Sequence, residues 1–254
     1  FLYDYYIEIK TQNENYKPNY QNNWYDASDL TEGEFSESYN DLIKAINTSH
    51  RVNFLVLGLE WPRTDTIMLV SYDERTKDLD IISIPRDTYY YKEGFRSGFD
   101  DMGEYKINAI YGDEGPEGVT QAVEDIMNIP IHHYVTVNYK GVANIVDAIG
   151  GVEVDIPFDM YYEDSWDDPP LIIDLKAGHQ ILGGEKAVQF LRFRQNSDGS
   201  VKYGDIDRIR TQQQFIQSAI KKTLSFRLPL VIKEVFYSVK TDASLLEILG
   251  YADS

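Results

Sequence analysis

From Val52 to Leu59 the chain reads VNFLVLGL, a near-continuous apolar run that ends on a glycine and a leucine. Such a run predicts a strand buried on both faces. TIMLVSYD (66–73) and LDIISIP (79–85) predict two more strands, joined by the polar hairpin-type connection DERTKD. HHYVTVN (132–138) and VEVDIP (152–157) continue the series. Between them the period lengthens to that of helices. KINAIYGDEGPEGVTQAVEDIMNI (106–129) predicts a short helix, a Gly/Pro turn and a second helix, and YKGVANIVDAIGG (139–151) a helix with a Gly-Gly stop. YNDLIKAI, within 38–49, predicts a helix ahead of the first strand.

Further on, LKAGHQILGGEKAVQFLRFR (175–194) predicts a turn and then a helix, and DRIRTQQQFIQSAIKKTLSF (207–226) a long helix. Two helical segments are expected in the tail from Arg227 to Ser254. MYYEDSWDDPPL (160–171) is expected to be an irregular acidic rim or lid, and QNSDGSVKYGD (195–205) a flexible link. Strands alternate with helices but some strands are adjacent. The pattern therefore predicts an α/β fold, an α/β/α layered domain around a mixed central sheet. Residues 1–37 are polar, rich in Asn, Tyr and Glu, and without period. We expect an irregular N-terminal segment there, with one folded domain over 38–254.

Composition narrows the function classes. The formal net charge is -18 in 254 residues, which argues against general nucleic-acid binding, since that needs a basic footprint. A local positive pocket remains compatible with it. The absence of cysteine excludes disulfides and thiolate metal sites and leans toward export. No apolar run is long enough to span a bilayer. The chain starts FLYDYYIEI, without an initiator Met, and we expect a longer protein with a membrane anchor upstream.

Against this acidic background the arginines are clustered. Arg63 lies in RTDT (63–66), Arg86 in SIPRDT (83–88), Arg192 and Arg194 in FLRFR (190–194), and Arg208 in GDIDRIRTQQQ (204–214). A guanidinium matches phosphate oxygens bidentately and keeps its charge, so strand-end Arg beside Asp suggests a site for a highly charged anion. Each Arg–Asp pair alone is equally a structural ion pair. Arg192 and Arg194 at a helix end are also favoured by the helix dipole. Asp205 and Asp207 are candidate N-caps, and Arg208 shares a helix face with Gln212. Asp87 is either a general base or a bridge to an arginine. The histidines, His50, His132, His133 and His179, show no HExxH spacing. Neither GxSxG nor GxxxxGK[ST] occurs.

In order and with sensible spacing, LVLGLE, RTDTIMLVSYD, DIISIPRDTYY, KINAIYG, YVTVNYKGVANIVDAIGGVEVDIP, LKAGHQILGGEKAVQFLRFR and GDIDRIRTQQQ resemble the LytR-CpsA-Psr family over roughly 50–225. The resemblance implies a membrane-anchored phosphotransferase on the extracellular face of a Gram-positive cell. It would move a glycopolymer (teichoic acid, capsule or another wall polysaccharide) from a polyprenyl-pyrophosphate carrier to peptidoglycan. It implies an apolar pocket for the carrier lipid, and Arg63, Arg86, Lys106, Arg192, Arg194, Arg208 and Gln212 around the pyrophosphate. It implies magnesium or another divalent cation on Asp65 and Glu60. Glu60 stands where the family has Asp, and only Trp61 and Pro62 separate it from Arg63. Two other readings of the same site are a non-catalytic binder of the carrier or polymer, and a pyrophosphate hydrolase.

Overall fold

The first predicted strand sits near the middle of the sheet. In the computed structural model, which describes residues 6–7, 44–46, 48–60, 62–91, 105–166, 170–225 and 228–253, the sheet has six strands. They are β1 (Tyr6–Ile7), β2 (Arg51–Glu60), β3 (Arg63–Asp73), β4 (Leu79–Ile84), β5 (His133–Asn138) and β10 (Lys240–Thr241), in the order β1-β4-β3-β2-β5-β10. β2 and β5 run parallel and the other pairs are antiparallel, so the sheet is mixed as predicted. Outside Tyr6–Ile7, the predicted irregular segment 1–37 lies outside the described residues. Of the helix predicted within 38–49, residues 44–46 and 48 are helical.

Strand alternation sends Leu55, Leu57, Ile67 and Ile84 to one face. There they meet α1 (Ile110–Met127) through Ile110, Val119, Ala122 and Val123. The predicted Gly/Pro turn is a break inside this helix at Gly115–Pro116. On the other face lie α2 (Tyr139–Ala148), α3 (Gly184–Arg192) and α4 (Asp205–Ser225), with α5 (Leu228–Ser238) and α6 (Leu245–Asp253) following. A second core gathers Val146, Phe190, Phe193 and Phe215 against the strands β6 (Val152–Ile156) and β9 (Gly178–Leu182), which pair as one ribbon. The sheet between these helical layers gives the α/β/α arrangement.

Three expectations are corrected. Residues 160–164 and 171–175 form an antiparallel hairpin, β7 (Met160–Asp164) with β8 (Leu171–Leu175). Met160, Ile173 and Leu175 are buried beneath it, and that apolar side outweighs the acidic, Pro-bearing composition. The link 195–205 is also ordered: Gln195 bridges Lys202, and the Tyr203 amide donates to the Arg194 carbonyl at 2.7 Å. Asp207 is not the N-cap of α4. It reaches back to accept the Gly204 amide at 3.0 Å, as the third residue of a capping box does.

Helix α3 starts almost on top of α2. The Gly184 amide donates to the Asp147 carboxylate at 2.7 Å, and a Cβ at position 184 would collide with the Ala143 carbonyl. Overpacking of this kind costs about 1–3 kcal/mol. Gly184→Ala is therefore expected to lower the unfolding free energy by about 2 kcal/mol, seen as a lower urea midpoint with an unchanged m-value. An unchanged midpoint would mean that the two helices separate without cost.

Candidate active site

A β-bulge positions the central carboxylate. Opposite β2 the register of β3 runs Gly58↔Thr66 and then Leu59↔Thr64, so Asp65 has no partner across the ladder. A bulge re-aims the extra side chain. Its effect is visible in the lining of the cavity beyond: Thr66, Met68 and Val70 follow the two-residue period, and Asp65 joins them out of phase. Gly58 permits this, because a Cβ there would lie 3.0 Å from the Cβ of Thr66.

Three arginines from three segments converge on Asp65. Arg86 Nη1 bonds Oδ1, while Arg194 Nη2 and Arg208 Nη2 stand 3.3 and 3.5 Å from Oδ2. Beside it, Glu60 receives Arg192 Nη2 at 3.6 Å and Arg194 Nη2 at 3.9 Å. Each guanidinium is placed by local structure. Arg86 follows β4 in a turn closed by the Thr88 amide on the Pro85 carbonyl, and its own carbonyl accepts the Asn108 amide. Arg192 ends α3 and lies over the Tyr139 ring, 4.8 Å from its centroid. Phe193 is buried between Arg192 and Arg194 and packs edge-on to Tyr203, so the two arginines sit either side of an anchor. Arg208 lies in the first turn of α4, which Gln213 pins to β4 by donating to Ser83 Oγ at 3.0 Å.

The two carboxyl groups interact through a proton. The hydrogen bond to Asp65, then burial, then the Asp65 charge push Glu60 up to about 7, against the pull of Arg192 and Arg194. Burial alone would raise Asp65. The hydrogen bond from Glu60 and the charges of Arg86 and Arg208 outweigh it and hold Asp65 below its ordinary range. Burial, then Glu60 and Asp65, push the Tyr139 phenol up to about 12, so it remains a neutral donor. The short connection between Glu60 and Arg63 is a two-residue hairpin turn with those residues paired, and the longer Glu arm still reaches the arginines.

The remaining candidates are distributed around this cluster. Gln212 lines the cavities on both flanks of Asp65. Lys106 is tied to Asp87 at 3.0 Å rather than to the central carboxylates. Arg63 is exposed and joins none of the ion pairs on Glu60 or Asp65. Tyr139 was not singled out from the sequence, and its position directly after a strand, at a helix start, was the available signal. An apolar cavity of about 290 Å³ opens from the cluster, walled by α2 and α4, including Val142, Ile145, Phe215 and Ile216.

The chain belongs to the LytR_cpsA_psr family, whose profile matches residues 5–254. It is 34% identical over 163 residues to the polyisoprenyl-teichoic acid–peptidoglycan teichoic acid transferase TagV of Bacillus subtilis, covering 64% of this chain and 39% of TagV. It is 31% identical over 220 residues to TagU of Oceanobacillus iheyensis, a transferase of the same description, covering 83% of this chain and 61% of TagU. The chain thus spans between about two-fifths and three-fifths of these two relatives. The crystal structure of B. subtilis TagV superposes with a TM-score of 0.66 at 28% identity, over 81% of this chain and 79% of that one.

A raised carboxyl stabilises the fold while it is protonated. The Glu60 contribution is complete below its ordinary value of 4.5 and is lost as pH rises through about 7. Thermal melts from pH 4.5 to 8 in the absence of divalent cations are expected to show this loss in the wild type, and Glu60→Gln is expected to flatten it. Parallel profiles would show that Glu60 does not hold the proton.

Proposed function

We propose that this domain is a phosphotransferase acting outside the cytoplasmic membrane, which moves a glycopolymer from a polyprenyl-pyrophosphate carrier to peptidoglycan. The observation that carries the reading is the convergence of Arg86, Arg192, Arg194 and Arg208 on two adjoining carboxylates at the mouth of an apolar cavity. A lipid pyrophosphate has those two halves, a dianionic head and an apolar tail. The names of TagV and TagU support the substrate class. No helix among the described residues is long and apolar enough to cross a membrane.

The donor set fits a hard divalent cation. Glu60 and Asp65 offer carboxylate oxygens that share a proton, and a cation would replace that proton. Among the described residues no group of three or more His, Asp or Glu is placed to hold a metal. Magnesium suits such a pair, because it binds through one or two carboxylates and keeps water and phosphate oxygens as its other ligands. When bound it would neutralise charge on the phosphate oxygens.

The chain's own groups supply the rest. The guanidinium cluster neutralises the nonbridging oxygens and the leaving phosphate, an electrostatic contribution that is largest in a site shielded from water. With pyrophosphate present, Asp65 keeps Arg86 and Arg208 aimed and gives up part of their charge to the ligand. Tyr139 holds Arg192 against the site. Asp87, positioned by Lys106, accepts the proton of the attacking sugar hydroxyl.

The test is a short polyprenyl-pyrophosphate-linked sugar with peptidoglycan fragments, with and without Mg²⁺, read by mass spectrometry. Transfer to the fragment is expected. Phosphate release without acceptor would make the protein a hydrolase, and binding without product a carrier-binding protein. Arg86→Ala and Arg194→Ala are each expected to weaken donor binding about 10- to 100-fold with an unchanged circular dichroism spectrum. An unfolded variant would make that arginine structural. Asp65→Ala is expected to abolish the Mg²⁺ response.

A further inference from the structure

A second cavity, of about 620 Å³, opens onto the same cluster. Asp65, Thr66, Met68 and Gln212 line both cavities, yet the two extend in opposite directions from β3. The apolar one runs under β2 and β5, reaching Leu59, Val137 and Tyr139. The larger one runs toward β4 and the turn after it, Ser83 to Tyr89. Sheet order β4-β3-β2-β5 places these on opposite sides of Asp65. Helix α4 roofs both, with Arg208 and Ile209 over the larger cavity and Phe215 to Ile220 over the apolar one.

The character of the larger cavity differs as well. It carries Ser83, Asp87, Thr88 and Gln212 as hydroxyl, carboxylate and amide groups. Tyr89 lines its mouth, and an aromatic row continues from there through Tyr105 to Tyr91. Tyr89 and Tyr91 are each 57% exposed, and the Tyr105 ring sits 5.8 Å from the first and 5.6 Å from the second. Backbone alternation puts Tyr89 and Tyr91 on one side, while Tyr90 between them turns away to bond Asp125. Exposed aromatic rings beside a cavity with an apolar wall and a few hydroxyl, carboxylate and amide groups match the two sides of a pyranose, an apolar C–H face and a rim of hydroxyls.

Phosphoryl transfer places the attacking and leaving oxygens roughly in line on opposite sides of phosphorus. If the carrier lipid lies in the apolar cavity, its phosphate departs toward β2 and α2, and the attacker must come from the β4 side. We propose that the larger cavity is the acceptor subsite, seating one pyranose of the glycan acceptor with its C–H face on Tyr89 and the adjoining Tyr105–Tyr91 row and its attacking hydroxyl at Asp87. This rests on the phosphotransferase reading above. The hydroxyl oxygen forms a bond to the phosphorus that carries the polymer. The bond from that phosphorus to the bridging oxygen breaks, and its electron pair leaves on polyprenyl monophosphate. The hydroxyl proton passes to the Asp87 carboxylate and from there to water.

Transfer kinetics on the full chain test this, with a short polyprenyl-pyrophosphate disaccharide as donor, Mg²⁺, and a soluble uncross-linked peptidoglycan tetrasaccharide as acceptor. Donor dissociation constants are measured alongside by calorimetry. Tyr89→Leu and Tyr91→Leu are expected to raise the acceptor KM roughly tenfold while the donor dissociation constant stays put, and Tyr89→Phe to retain the wild-type KM. An unchanged acceptor KM in both leucine variants, with wild-type transfer intact, overturns the subsite alone. A raised donor dissociation constant also overturns it, because the tyrosines would then hold the donor's glycan. Absence of transfer by the wild type overturns the phosphotransferase reading itself, and the subsite with it.

Discussion

The ion pairing of Asp65 is the interaction on which the site depends. Four guanidinium groups brought within a few ångströms repel one another, and a buried cation without a partner is costly. Asp65 meets three of them and Glu60 takes contacts from the fourth and from Arg194, so positive charge can be concentrated where the fold would otherwise expel it. The arginines come from the end of β4, the end of α3 and the start of α4. Their common partner therefore also ties three separate segments to the central hairpin.

Much of this was legible in the sequence. The strands around 52–85, the long helix over the second face, and the grouping of Arg86, Arg192, Arg194 and Arg208 followed from apolar period and from arginine at strand and helix ends. An apolar pocket was expected, although cavity-lining and core residues look alike in one dimension. What escaped was whatever depends on register. Simple alternation would send Asp65 and Thr66 to opposite faces, and only the mismatch between Gly58–Leu59 and Thr64–Thr66 brings them together. The β7–β8 hairpin escaped for a related reason: Asp, Glu and Pro dominate its composition while a few alternate positions, Met160, Ile173 and Leu175, carry its burial. Tyr139 gave no chemical signal of its own, since its role comes from the Arg192 side chain lying across its ring.

The hairpin sets two carboxyl groups side by side. A two-residue turn pairs Glu60 with Arg63, and the glutamate side chain interacts with Asp65 and meets Arg192 and Arg194. The sensitivity of this carboxyl pair to protons follows first from their contact and then from burial, with Glu60 still partly open to solvent.

The formal charge of -18 and the cationic cluster act over different ranges. At physiological ionic strength fields fade beyond about 8 Å, so an approaching polyanion first meets the acidic exterior and only at close quarters the guanidinium groups. Added electrolyte then works on two rate constants at once. It screens the outer repulsion and hastens encounter, and it weakens the inner attraction and hastens escape. Most anion-binding proteins with basic surfaces lose association rate as salt rises. Here salt favours the encounter and shortens the residence of any anion that the cluster binds.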